Sequence, residues 1–155
     1  MRRLAKQTNT LDAFFKSKYK VKQLYELYCR NFPKQQYLWQ AMVKKKSGQL
    51  KILKKLLDKS NGGHNFFKAS DYSTEIINYT ENFIDRELKL IKVNKTTPKQ
   101  ALATAIRLEL SMIEKKSCEM LTPLSGHLES ALKEISQDCG RHISVLTRAL
   151  NNTSS

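Results

Sequence analysis

The sequence predicts an all-α fold: a bundle of four long helices, arranged as two antiparallel hairpins joined by a long, partly helical crossover. Three observations carry that expectation. Apolar residues recur at steps of three and four through most of the 155 residues, and no stretch alternates polar and apolar as a half-buried strand would. Proline, glycine and a capping sequence punctuate the chain at helix-length intervals. A single domain of this length, 40% hydrophobic, buries about two thirds of its unfolded surface and requires no staple.

The first helix is expected over residues 11–30, where Leu11, Phe15, Val21, Tyr25 and Tyr28 supply the apolar positions, with residues 1–9 ahead of it as a basic tail. Asn31-Phe32-Pro33 ends it, because proline disfavours helical backbone at Phe32 and suits the first turn of a following helix. The second helix is expected over 34–57. So short a link folds the two into an antiparallel hairpin. Asn61-Gly62-Gly63 stops the second helix, since glycine adopts the left-handed backbone a stop requires.

Residues 58–96 form the crossover. Within it Ile77, Ile84, Leu88 and Ile91 stand at helical spacing, which predicts a helix there in place of a bare loop of uncommon length. Thr97-Pro98-Lys99-Gln100 reads as a capping box with proline at the first helical position, so the third long helix starts at about Pro98. It carries Leu102, Ala105, Glu109 and Met112 on one face and breaks near residues 121–126. The fourth is expected over 127–150, with Leu128, Leu132, Ile135, Cys139, His142 and Leu146 in steps of four and three. Residues 151–155 are expected to fray, and 1–150 to be one domain.

Charge is unevenly placed. The net charge is +14, and residues 1–57 hold 15 Lys and Arg against two acids, so all but one unit of the excess lies in the basic tail and first hairpin together. There Lys16, Lys20, Lys22, Lys44, Lys45, Lys51, Lys54 and Lys55 meet almost no local acid, which predicts a face able to recruit an acidic protein, nucleic acid or anionic lipid. The competing reading is a solvated surface. Lysine far exceeds arginine in this hairpin, which argues against bidentate base reading and hence against sequence-specific DNA binding.

Three cysteines, odd in number and widely spaced without a CxxC, read as reduced thiols, and no apolar run approaches the roughly 20 residues of a membrane span. The N-terminal residues have no apolar signal core. The expected location is the cytoplasm, with a short organelle presequence (Arg2, Arg3, Lys6) as the other reading. A homodimer through the apolar crossover stays open.

The second helix poses a question: Lys46 and Gln49 interrupt its apolar stripe between Met42 and Leu53, and from residue 34 to 57 there is no Asp, Glu or His. The stretches LYELYCRNFPKQQYLWQAMVKKKSGQLKIL, TTPKQALATAIRLELSMIEK and ISQDCGRHISVL together resemble the ferritin-like superfamily, and within it the rubrerythrin-like proteins, with their LY, FP and LW landmarks in the first hairpin. That resemblance implies a di-iron site built from a glutamate on the first and third helices and an ExxH pair on the second and fourth. Placed on the landmarks, the first glutamate falls at Lys18, the second-helix pair at Lys46 and Gln49, the third-helix glutamate at Glu109, and the last pair at Cys139 and His142. Only Glu109 and His142 keep the ligand type. The implied protein is a non-catalytic member that has lost its di-iron centre and any cofactor with it, binding partners through the basic hairpin.

Physical chemistry makes that exchange coherent, because a lone buried Glu109 is costly and a lysine brings the positive charge the metal supplied. The expectation is a layer in which Lys18 or Lys46 pairs with Glu109, with Gln49 and His142 meeting hydrogen-bond needs. One alternative is a residual oxidoreductase holding a single zinc or iron ion on Glu109, Cys139 and His142. Another is a non-specific nucleic-acid binder. Asp138, four residues before His142, reads as an orienting or surface group, and the aromatic residues of the first hairpin as core. His64 and His127 are assigned no role, and no P-loop, GxGxxG or Ser/His/Asp arrangement can be placed.

Overall fold

Pro33 is the pivot of the first hairpin. Helix α1 (Arg2–Asn31) ends where Phe32 turns extended, a 3-10 turn spans Pro33–Gln35, and helix α2 (Gln36–Asp58) follows directly. The computed structural model describes residues 2–58, 67–69, 73–111, 121–123 and 126–153. The expected basic tail is itself helical from Arg2 onward, which follows from the absence of any glycine or proline before Pro33. Trp39 closes the hairpin by packing 4.9 Å from the ring of Tyr28 and 5.5 Å from that of Tyr25. All three side chains are fully buried.

Two three-residue strands, β1 (Phe67–Ala69) and β2 (Leu121–Pro123), pair antiparallel with Lys68 opposite Thr122. No strand was expected, and three residues are too few to print an alternating pattern. Helix α3 (Ser73–Lys92) occupies the crossover and lies along α1, running parallel to it: Lys20 meets Glu81 and Asp85, and Ile84 and Ile91 join Val21 and Leu24 in the core. It stops at Asn94, whose φ of 57° is the left-handed backbone that asparagine tolerates, with the Lys95 amide returning to the Leu90 carbonyl.

Helix α4 (Pro98–Glu109) opens with the capping box complete: the Gln100 amide donates to Thr97 Oγ1 at 3.1 Å and the Thr97 amide to Gln100 Oε1 at 2.9 Å. It ends about three turns later, well short of the expected break, because the chain tightens so that Ser111 N–H bonds Leu108 O. Met112 and the Asn61-Gly62-Gly63 stop lie outside the described residues. Helix α5 (Gly126–Asn151) is the last of the described helices. The tail is held further than expected: Asn151 is helical, and the Thr153 hydroxyl donates to Ala149 O and accepts from Gln35 Nε2 at 3.2 Å.

Among the described residues the fold is thus all-α apart from one short strand pair. Going round the bundle, α1 packs on α2, α2 on α5, α5 on α4 and α4 back on α1, while α3 lies outside on α1. Each neighbouring pair in that ring is antiparallel, as Tyr25 against Glu109 and Lys46 against Cys139 show alongside the helix ends. Among the described residues no helix is long and apolar enough to cross a membrane.

Candidate functional site

Glu109 is the last residue of α4, where the carbonyl end of the helix dipole repels a carboxylate, and it is fully buried. An isolated charge there costs several kcal/mol, so it needs donors. Three helices supply them. Lys46 Nζ of α2 lies 2.9 Å from Oε2, Tyr25 of α1 donates its hydroxyl to the same oxygen at 3.2 Å, and His142 of α5 donates Nδ1–H to Oε1 at 2.7 Å. A carboxylate only accepts, so the Nδ1 proton of His142 is fixed by its partner. Lys46 also donates to Cys139 Sγ at 3.9 Å. Solvent reaches this cluster only at the edge of His142, whose side chain is 12% exposed.

Of the residues the sequence puts in this layer, Lys46, Glu109, Cys139 and His142 come together. Gln49 lies one turn further along α2, and its amide donates to Asp138 Oδ2 at 3.3 Å instead of approaching Glu109. Lys18 is buried, with its ammonium 5.4 Å over the Phe14 ring, so the lysine that meets Glu109 is Lys46. On α1 the contact with Glu109 belongs to Tyr25, which the sequence reading left among core aromatics. Two signals pointed to it: a buried tyrosine hydroxyl requires a partner, and position 25 is two turns from position 18 on the same face.

Asp138, read from the sequence as an orienting or surface group, is buried. It does not orient His142; Arg141 and Gln49 hold it from either side. Burial pushes the Asp138 carboxyl up, but the hydrogen bonds from Arg141 and Gln49, with the charges of Lys45 and Arg141, outweigh it and keep the group below its ordinary value. Gln49 and Asp138 floor a groove of about 450 Å³ between α2 and α5, rimmed by Lys44, Lys45 and Glu134.

The basic face divides in two, which corrects the expectation of one continuous uncompensated surface. Across α1, the acids come from α3: Lys20 Nζ sits 2.7 Å from Glu81 and 2.9 Å from Asp85, and Lys16 lies 3.6 Å from Glu81. Lys22 pairs with Glu26 on its own helix. A neutralising partner distant in sequence was invisible to a count along the hairpin. Lys44, Lys45, Lys51, Lys54 and Lys55 of α2 remain exposed.

Among the described residues no group of three or more His, Cys, Asp or Glu side chains is arranged to hold a metal ion. Neither Cys29 nor Cys139 is joined in a disulfide. Comparison with protein-family models, with curated proteins and with solved structures returned no match to this chain.

Proposed function

We propose that this protein is a non-catalytic, ferritin-like (rubrerythrin-like) bundle in which a lysine ion pair has replaced a di-iron centre, and that it serves as a binding or scaffold module through the open lysine face of α2. One observation supports the reading: the Lys46 ammonium, 2.9 Å from Glu109 and in contact with Cys139, gives the buried carboxylate the positive charge that a metal would otherwise supply. The donor set does not fit two irons. Residues 36–57 of α2 offer no carboxylate or imidazole, and both oxygens of Glu109 already accept, Oε2 from Lys46 and Tyr25 and Oε1 from His142.

The exposed lysines of α2 support the binding half, since their charge is not met by α3 as that of Lys16 and Lys20 is. The partner class is a polyanion, an acidic protein surface or nucleic acid. Metal analysis of protein purified without chelators tests the core of the reading. Iron and zinc well below one atom per chain are expected. Iron near two atoms per chain overturns the proposal, and one zinc per chain that disappears in Cys139→Ala would establish the residual metal site on Glu109, Cys139 and His142 in its place.

A further inference from the structure

Helices α3 and α4 are consecutive and antiparallel, yet they pack on different partners, α3 on α1 and α4 on α5. Side chains bridge the seam between them. Arg107 of α4 lies over Phe83 of α3, 4.3 Å from guanidinium carbon to ring centroid, and donates to the Tyr79 hydroxyl at 3.0 Å. The Arg86 guanidinium carbon also lies over Phe83, 5.4 Å from the ring centroid. With Asn82 these residues line a hollow of about 420 Å³.

Every polar side chain of that hollow brings a donor. Arg86 and Arg107 add two positive charges, Asn82 an amide, and Tyr79, which accepts from Arg107, keeps its own O–H to give. Glu87 comes only to 3.9 Å from Arg86, and Arg107 has no acid partner among the described residues. Such a set selects an anion, and guanidinium forks match carboxylate and phosphate oxygens.

A second hollow, of about 460 Å³, continues from the first through the shared Tyr79 and Arg107. It is bordered by Ile76, Ala103, Ile106 and Leu110, and Leu110 and Tyr79 are 47% and 66% exposed. From Arg86 to Ile76 the seam runs for about 15 Å along α3. One end of this groove is cationic and the other apolar.

We propose that the α3/α4 seam binds a single-chain amphipathic anion, its phosphate or carboxylate held by Arg86 and Arg107 with Asn82 and Tyr79, its alkyl chain lying along Ile76, Ile106 and Leu110. This site is separate from the α2 lysine face and stands or falls without it. The test is an NMR titration of the full chain with dodecyl phosphate and with dodecanoate below micelle formation, using inorganic phosphate and dodecanol as head-only and chain-only probes. At least one dodecyl anion should bind saturably with shifts centred on Tyr79, Arg86, Arg107 and Leu110, and the preference between the two identifies the head group.

Arg107→Gln, at an exposed position, should weaken that binding about tenfold through loss of a charge-assisted contact. Arg86→Gln carries the same test should the first variant fold poorly. Leu110→Asn should weaken the dodecyl anion and leave inorganic phosphate unchanged. Shifts centred on Lys51 and Lys54, inorganic phosphate binding as tightly as dodecyl phosphate, undiminished binding in both arginine variants, or no saturable binding of either anion each overturn the proposal.

Discussion

At position 109 a carboxylate has been placed where helix polarity and burial both oppose it, and the surrounding side chains are explicable as the response. Lys46, Tyr25 and His142 each come from a different helix, so the charge cluster doubles as a clamp on the bundle. Glu109→Gln leaves Lys46 facing an amide, and a loss of about 3–5 kcal/mol in urea unfolding is expected in the fully buried limit. Replacing both partners, with Lys46→Met and Glu109→Leu together, should recover most of it. Asp138 gives a pH signature. Its folded value is depressed, so its contribution is present above the ordinary carboxylate range near pH 4 and disappears as pH falls through the lower folded value. Asp138→Asn should therefore be less stable than the parent at neutral pH and show a shallower acid slope, read from denaturation midpoints at stepped pH. Helical spacing put Lys46, Glu109, Cys139 and His142 on the inner faces of their own helices, and only the landmarks of the resemblance put them in one layer. Which donor completes Glu109, and that Gln49 turns to Asp138, depends on heights between helices, to which spacing along one helix is blind.

Among the elements, α3 has the least support from the ring of four and the clearest dependence on charge. It docks on α1 through Ile77, Ile84 and Ile91 and through Lys20, which burial would push down but which the bonds to Glu81 and Asp85 hold above its ordinary value. A raised folded value means the contribution is complete below the ordinary lysine value near pH 10 and is lost as pH rises through the folded one. Lys20→Met should lower the opening free energy of α3 by on the order of 1 kcal/mol, seen as faster amide exchange in α3 with α4 and α5 unchanged. Capping chemistry explains why some element bounds could be read and others not. Thr97 to Gln100 announced α4 because the reciprocal bonds are local, whereas the early end of α4 at Glu109 and the β1–β2 pairing involve contacts that leave no local pattern.

For the molecule as a whole, the question is where an excess of +14 is felt. The crossover brings its acids onto α1 and leaves the lysines of α2 as the open positive surface, so the potential is narrower than the linear charge count suggests. If nucleic acid is the partner, log affinity should fall linearly with log salt at roughly 0.7–0.9 per phosphate contact. Reversing Lys44, Lys45, Lys51 and Lys54 to Glu should flatten that slope with the fold intact, since all four are exposed, while reversing Lys16 should change it far less. An acidic protein partner would instead survive excess competitor nucleic acid. Absence of binding to DNA, RNA and anionic vesicles at low salt, where screening is weakest, would reduce the face to a solvated surface.

The indole of Trp39 is the chain's only one, and it is buried against the rings of Tyr25 and Tyr28 near the turn of the first hairpin. Its fluorescence is therefore a private channel for one event, the parting of α1 from α2. Excitation absorbed by Tyr25 and Tyr28 reaches it across the hairpin, while Tyr37 of α2 stays beside it whether the hairpin is shut or open, so the fall in tyrosine-excited emission relative to a Tyr25→Phe/Tyr28→Phe variant reports closure, and a probe that watched helix content alone would miss α1 and α2 separating as intact rods.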